Sequence, residues 1–119
     1  MEAAIQINRS LPGTLHAVLD RGKLEAALAR PMQTGYGQLL YPTLVARGAA
    51  LLHGIASAHA FQDGNKRTAW LCTAMYLEHE GSRISEVSDE EAADFVVDVV
   101  LGVIAIPDAA IWFLERTSP

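Results

Sequence analysis

Residues 43–58 read TLVARGAALLHGIASA, and this stretch decides the fold that we expect. Its large apolar side chains recur near the period of 3.6 residues that is typical of a helix, at Leu44, Leu51, Leu52 and Ile55. Alanine and glycine fill many of the positions between them, and such small side chains let neighbouring helices approach closely. We therefore predict a central helix over residues 43–58 that is covered by other helices rather than by solvent.

A second helix is predicted over residues 65–80, NKRTAWLCTAMYLEHE, because Leu71, Met75 and Tyr76 fall on one face. Gly81 follows this stretch, and glycine is the residue found most often just beyond the C-terminus of a helix. The two predicted helices flank a short connection and form the centre of the expected bundle.

Shorter helices are expected after this pair. Ser88 and Glu91 have the spacing of a capping box, in which each side chain reaches the other residue's backbone amide, so a helix should begin there. We expect it to end near Gly102. Pro107 suits the first turn of a last helix that runs to about Arg116.

The N-terminal third is less regular. Residues 11–13 (LPG) are typical of a turn, and residues 23–30 (KLEAALAR) predict a short amphipathic helix that stops at Pro31. Residues 31–42, PMQTGYGQLLYP, contain two glycines and two tyrosines and predict an ordered loop or a short hairpin. The expected fold class is all-α, a compact helical bundle forming a single domain over residues 1–119, with a short irregular flap before the central helix.

The composition narrows the classes of function. The chain has 119 residues, and its nine basic and fourteen acidic residues give a net charge of −5, which argues against a general nucleic-acid coat. The single cysteine, Cys72, excludes an internal disulfide framework and a zinc site built from cysteine pairs. Residues 1–10 lack the pattern of a signal peptide, and the most apolar stretch, residues 95–106, is too short to span a bilayer. We expect a cytoplasmic domain that binds neither nucleic acid directly nor a membrane.

The residues suited to chemistry are concentrated in the HAFQDGNKR segment, residues 59–67, between the two central helices. The triplet DGN at 63–65 can turn the chain and begin the next helix, which leaves the first backbone amides of that helix unpaired. Unpaired amides and the helix dipole both favour a bound anion, and Lys66 and Arg67 add two positive charges at the same place. The segment therefore predicts a phosphate site.

Two further side chains of the HAFQDGNKR segment suit chemistry on a bound phosphate. Asp63 can attract Mg²⁺, which prefers one or two carboxylates together with phosphate oxygens, and His59 can accept a proton near neutral pH. The segment is neither a Walker loop nor a calcium loop, because the residues that define those motifs are missing. The residues alone also leave open a solvated helix start that binds nothing.

The same segment resembles the signature of the Fic/Doc superfamily, H-x-F-x-[DE]-[GA]-N-[GK]-R, through His59, Phe61, Asp63, Gly64, Asn65, Lys66 and Arg67. Lys66, followed by the triplet RTA, resembles the Doc (death-on-curing) version of the signature. The stretch DRGKLEAALARP at 20–31 also resembles Doc proteins, as do the pairs at 41–42 and 80–81. The resemblance covers nearly the whole chain, and it implies the Fic/Doc helical fold.

The resemblance implies a role for each of these residues. His59 would be the general base that activates a hydroxyl of a target protein, Phe61 would anchor the segment in the core, and Asp63 would hold Mg²⁺. Four residues would cradle the phosphates of ATP: Gly64, Asn65, Lys66 and Arg67. The flap, residues 31–42, would pair with the backbone of the target.

Two departures from the Fic pattern refine the expected reaction. Lys66 stands where most Fic proteins, which transfer AMP, have glycine, and in Doc-type proteins this lysine accompanies an inverted nucleotide and transfer of the γ-phosphate. Trp70 replaces the second arginine of the Fic pattern, three residues after Arg67. The resemblance thus implies a protein phosphotransferase. AMP transfer remains the alternative, and a catalytically inactive nucleotide- or partner-binding module is an alternative of another class. A ribonuclease toxin is a weaker possibility.

The resemblance also implies partners. The sequence contains no inhibitory [ST]-x-x-x-E-[GN] helix, because Tyr76 stands four residues before the pair at 80–81. Inhibition would therefore come from a separate chain, a small Phd-like antitoxin whose disordered tail folds on the toxin. The implied target is elongation factor Tu, modified on a threonine, so that translation and growth stop.

The remaining candidate residues are expected to be structural. His16, His53 and His79 are interpreted as surface or packing residues. Cys72 is interpreted as a core residue of the second central helix. The aromatic residues of the C-terminal half are expected in the core or along a groove: Trp70, Trp112 and Phe113.

Overall fold

The computed structural model describes residues 1–13 and 15–119, and α-helices make up most of them. In chain order the helices are α1 (Glu2–Ser10), α2 (Arg21–Ala29), α3 (Leu44–Ala58), α4 (Asn65–His79), α5 (Asp89–Val100) and α6 (Ile106–Arg116). A 3-10 turn and two-residue strands complete the described part: Arg30–Met32, β1 (Thr34–Gly35), β2 (Gln38–Leu39), β3 (Arg83–Ile84) and β4 (Thr117–Ser118). The all-α class predicted from the sequence is confirmed. Within the described ranges, every helix falls short of the length and apolar character needed to cross a membrane.

Helix α3 lies at the centre of the bundle and packs against α2, α4, α5 and α6. Its side chains Leu52 and Ile55 are completely buried. At Gly48 an added β-carbon would lie 2.9 Å from the Leu77 side chain, so this glycine lets α3 and α4 approach closely. The central helix predicted over residues 43–58 is confirmed, with neighbours on several sides.

Helix α4 presents to the core a different face from the one that its large apolar residues suggest. Leu71 and Met75 are 39% and 54% exposed. The buried face carries mostly smaller side chains: Thr68, Ala69, Cys72, Thr73 and Leu77. Small side chains let α3 and α4 pack at native density, and this close approach decides which face of α4 is buried.

Helices α5 and α6 begin where the sequence predicts. The Ser88 hydroxyl accepts a hydrogen bond from the Glu91 amide at 3.1 Å and caps α5. Pro107 lies in the first turn of α6. Helix α5 ends just before Gly102, which has a φ of +76°, a value that glycine adopts without strain.

An aromatic cluster joins α4, α5 and α6. The rings of Phe95 and Trp112 are stacked with 3.8 Å between their centroids. Trp70 lies 6.2 Å from the ring of Phe113, which is completely buried. Large aromatic surfaces contribute strongly to core stability, so this cluster holds α5 at a fixed position beside α4.

Two features of the fold lie outside the sequence predictions. Helix α1 covers residues for which the sequence patterns predict no secondary structure, and it packs against α4 with Ala4 and Ile5 buried. Strands β3 and β4 pair antiparallel, so that Ile84 lies opposite Thr117 near the C-terminus. Strands this short carry no periodicity that a sequence pattern can reveal.

The flap is a short hairpin, as predicted. Strands β1 and β2 pair antiparallel with Gly35 opposite Gln38, so a two-residue turn connects them. Both turn residues, Tyr36 and Gly37, have positive φ angles of 52° and 77°, as a type I′ turn requires. The Tyr36 side chain is fully exposed. The hairpin therefore projects from the bundle before α3 begins.

Candidate functional site

The HAFQDGNKR segment connects α3 to α4 through two residues in the left-handed region. His59 ends α3 with φ and ψ of 50° and 40°, and Gly64 precedes α4 with a φ of 75°. Glycine adopts this conformation at no steric cost, whereas histidine is one of the few other residue types enriched there. The His59 side chain is exposed. The imidazole therefore lies where the chain leaves the core.

Phe61 anchors the segment between these two turns. Its side chain is 2% exposed. The Phe61 amide donates a hydrogen bond to Asn65 Oδ1 at 3.1 Å, and Asn65 Nδ2 donates to the Phe61 carbonyl at 2.8 Å. Because the Asn65 side chain is engaged in this way, the group that Asn65 offers to a bound anion is its backbone amide.

The segment is also held from outside by residues 17–20, which run along it. The Leu19 amide donates to the Ala60 carbonyl at 2.7 Å, and the Gln62 amide donates to the Ala17 carbonyl at 2.9 Å. These hydrogen bonds form an isolated antiparallel bridge. Residues 59–64 are therefore held from two sides rather than left as a free connection.

Asn8, on α1, contacts the segment from within the protein. It is 1% exposed, and its Nδ2 atom donates to the Asp63 carbonyl at 2.8 Å and to Thr68 Oγ1 at 3.1 Å. The sequence offered only one signal for this contact, an amide residue on the apolar face of an unassigned helix, beside Ala4 and Ile5.

The N-terminus of α4 is open to a ligand. Among the described residues, no side chain caps this helix terminus. The Gly64 amide donates to Asp63 Oδ1 at 2.9 Å, and the amides that follow it belong to the first turn of α4, where a helix leaves its N–H groups without intrahelical partners. This terminus can accept an anion, and the side chains of Lys66 and Arg67 are both exposed beside it.

A groove of about 750 Å³ runs along this terminus, between α4 and α5. One wall holds the polar part of the HAFQDGNKR segment. The opposite wall is mostly apolar and comes from α5, with Ala92, Val96 and Val97, and Leu71 of α4 also lines the groove. A polar end and an apolar wall suit a ligand that carries phosphates on an organic group, as a nucleotide does.

Comparison with known protein families gives one clear match. The model of the Fic/DOC family matches residues 2–77, more than half of the chain. The chain belongs to the Fic/DOC family. It is also similar to a protein named Toxin Doc from Mycolicibacterium smegmatis (strain ATCC 700084 / mc(2)155), with 47% identity over 81 residues. The alignment covers 68% of this chain but only 57% of the length of that relative.

In this Fic/DOC chain, every site residue predicted from the sequence lines the same groove: His59, Asp63, Gly64, Asn65, Lys66 and Arg67. The structure thus brings together an imidazole, a carboxylate, two cations and the start of a helix. Their individual roles in catalysis and in binding stay predictions.

The carboxylate of Asp63 fits a Mg²⁺ ion that is bound mainly by phosphate. The side chain is exposed at the groove, and the Gly64 amide donates to its Oδ1 atom. Within residues 1–13 and 15–119, no group of three or more His, Cys, Asp and Glu residues could hold a metal ion. An ion at Asp63 would therefore take most of its oxygen ligands from phosphate and water, as Mg²⁺ commonly does.

Of the other titratable residues, Asp89 of α5 also lines the groove, whereas His53, Cys72 and His79 do not. Arg30 approaches His53 Nδ1 at 2.7 Å, and burial together with the positive charge of Arg30 lowers the pKa of His53. Burial raises the pKa of Cys72 to about 11, so its thiol stays protonated at neutral pH and is unreactive. His79 is exposed near the end of α4. The interpretation of these residues as packing or surface residues agrees with their positions.

Proposed function

We propose that this chain is a Doc-like toxin that transfers the γ-phosphate of ATP to a threonine or serine hydroxyl of a translation protein such as elongation factor Tu. The observation that carries the proposal is the groove itself, which brings an exposed imidazole to an uncapped helix N-terminus flanked by two cations. The similarity to Toxin Doc and the presence of Lys66 in place of glycine support a Doc-like rather than a Fic-like reaction.

In the proposed reaction the target hydroxyl oxygen bonds to the γ-phosphorus. The bond from that phosphorus to the oxygen bridging the β- and γ-phosphates breaks, and ADP leaves. His59 accepts the hydroxyl proton, which removes the positive charge that would otherwise build up on the attacking oxygen.

The first turn of α4 contributes by binding and positioning the phosphates. Its amides and the side chains of Lys66 and Arg67 stabilise negative charge as it moves towards ADP, and a phosphoryl transfer depends mainly on such positioning and charge stabilisation. When bound at Asp63, Mg²⁺ would neutralise part of the phosphate charge. We expect the reaction to take place in the cytoplasm, where ATP is available.

Transfer of AMP is the second candidate reaction, because the same groove would hold the same nucleotide in the opposite direction. The hydroxyl oxygen would then bond to the α-phosphorus and pyrophosphate would leave. Lys66 is the observation against it, since a lysine side chain adds bulk and charge where glycine would leave the backbone open to the α-phosphate.

The two reactions are separated by the position of a radioactive label. We expect purified elongation factor Tu, incubated with this chain and Mg²⁺, to be labelled by ATP carrying ³²P at the γ position and not at the α position. The inactive control is the same chain with His59→Asn. Labelling from the α position alone would overturn the phosphotransferase proposal and would favour AMP transfer.

The role of Asp63 is tested with Asp63→Asn, which keeps the size of the side chain and an oxygen that can accept from the Gly64 amide. We expect Mg²⁺-dependent binding of ATP to weaken by about tenfold, or about 1.4 kcal/mol, because a neutral amide is a poorer ligand for Mg²⁺. Calorimetric titration with and without Mg²⁺ measures the change.

Asp94→Asn is the matched control for this measurement. Asp94 is exposed on α5 and lies outside the groove, so its substitution removes one negative charge without touching the site. Equal affinities for Mg²⁺ and ATP in Asp63→Asn and Asp94→Asn would contradict a ligand role for Asp63.

We further propose that a Phd-like antitoxin neutralises the chain. The similarity to Toxin Doc supports a toxin that is produced together with an antitoxin. An antitoxin with a disordered tail would fold on binding, and the cost of ordering that tail would be offset by the surface that it buries.

A further inference from the structure

We propose that Asn8 is a positioning residue for the phosphate site, because its buried carboxamide fixes the direction of the Asp63–Gly64 peptide. The inference rests on the proposed function, since it assigns Asn8 to the binding of the phosphates. Asn8 itself touches no ligand and acts through the backbone of the HAFQDGNKR segment.

The burial of Asn8 is the first observation. Three polar residues are buried among those that the structure describes: Asn8, Thr68 and Thr73. Two of them, Asn8 and Thr68, belong to one hydrogen-bonded group that also includes the Asp63 carbonyl. Burying an amide side chain is unfavourable unless its hydrogen bonds are made. The position of Asn8 therefore depends on these hydrogen bonds and not on packing alone.

The geometry of the peptide unit is the second observation. In a trans peptide the carbonyl and the following N–H point in opposite directions. Asn8 Nδ2 holds the Asp63 carbonyl towards the protein interior at 2.8 Å, so the Gly64 N–H is turned to the other side. That N–H donates to the Asp63 carboxylate, which lines the groove. Asn8 therefore orients the amide that precedes the first turn of α4.

The contact with Thr68 strengthens this arrangement. Asn8 Nδ2 also donates to Thr68 Oγ1 at 3.1 Å, and Thr68 is a completely buried residue near the start of α4. One amide group thus joins α1 to both sides of the Gly64 bend. Without the Asn8 side chain, the Asp63 carbonyl is free to rotate, and the Gly64 amide then loses its alignment with the amides of the first turn of α4.

The test compares Asn8→Ala with Ile5→Ala. Both substitutions shorten a buried side chain of α1, but Ile5 is apolar and has no hydrogen bond to the HAFQDGNKR segment. Asn8→Ser is a second, milder variant in case Asn8→Ala does not fold. Inorganic tripolyphosphate is the probe, since it carries the phosphates of ATP without the nucleoside.

We expect Asn8→Ala to weaken binding of tripolyphosphate by about fivefold, because the Asp63–Gly64 peptide is no longer held in one orientation, while Ile5→Ala keeps the affinity of the unmodified chain. We also expect the NMR order parameter of the Gly64 amide to fall from about 0.85 towards 0.6 in Asn8→Ala only. A merely structural role for Asn8 would lower stability in both variants and change neither quantity selectively.

The outcomes separate this inference from the proposed function. Unchanged affinity and an unchanged Gly64 order parameter in Asn8→Ala would overturn the positioning role. If the unmodified chain binds no tripolyphosphate, the proposed function loses its phosphate site. In that case only the order parameter tests the positioning role of Asn8. A selective fall at Gly64 in Asn8→Ala supports this role, and an unchanged value overturns it.

Discussion

Replacing His59 by asparagine should lower the rate of phosphate transfer by about a hundredfold or more, because a general base contributes roughly that much to such a step. The protein should remain folded and should still bind ATP. The His59 side chain is exposed, and asparagine tolerates the left-handed conformation that this position adopts. Single-turnover labelling with γ-³²P ATP measures the rate, and thermal unfolding checks the fold.

His79→Asn is the matched control for this prediction, because His79 is also exposed and lies near the far end of α4. We expect that variant to transfer phosphate at the rate of the unmodified chain. Growth inhibition that persists in His59→Asn would favour the catalytically inactive binding module over either transferase.

Removing the Phe61 side chain should give the largest loss of stability at the site. Phe61 is 2% exposed, and truncation of a buried phenylalanine to alanine typically lowers the free energy of unfolding by about 3–5 kcal/mol. That is a large part of the stability of a domain of this size. Urea denaturation followed by circular dichroism measures the change.

Phe113 is the control that separates an effect on ATP binding from a general loss of core stability. It is completely buried within the aromatic cluster and does not line the groove. We expect Phe61→Leu and Phe113→Leu to lose similar stability, whereas only Phe61→Leu weakens ATP binding. Equal ATP affinities in the two variants would show that the anchor contributes to folding alone.

Much of the fold could be predicted from local signals. The period of residues 43–58, the capping serine at Ser88 and the proline at Pro107 each act over a few residues, and each corresponds to an observed helix or helix terminus. The exposed face of α4 could not be predicted, because it depends on how closely α3 approaches. Gly48 and the small residues of α4 determine that distance.

Part of the candidate site could also be predicted from local signals. The site residues predicted from the sequence lie within nine consecutive positions, so a single segment contains them, whereas the wall that α5 contributes could not be predicted. The contacts of Asn8 could not be predicted from spacing, because its partners lie 55 and 60 residues away along the chain. Asn65 is predicted to cradle phosphate, and that role stays a prediction. Its side chain is hydrogen-bonded to the backbone of Phe61, so its backbone amide is the group left for an anion, and no pattern in the sequence distinguishes these two uses of an asparagine.

The contact between Asn8 and Thr68 has a consequence for synthesis on the ribosome. These residues are 60 positions apart, so the nascent chain cannot join them until α4 has left the exit tunnel. The second wall of the groove, on α5, emerges later still. The proposed phosphate site is therefore incomplete until α5 has also left the ribosome.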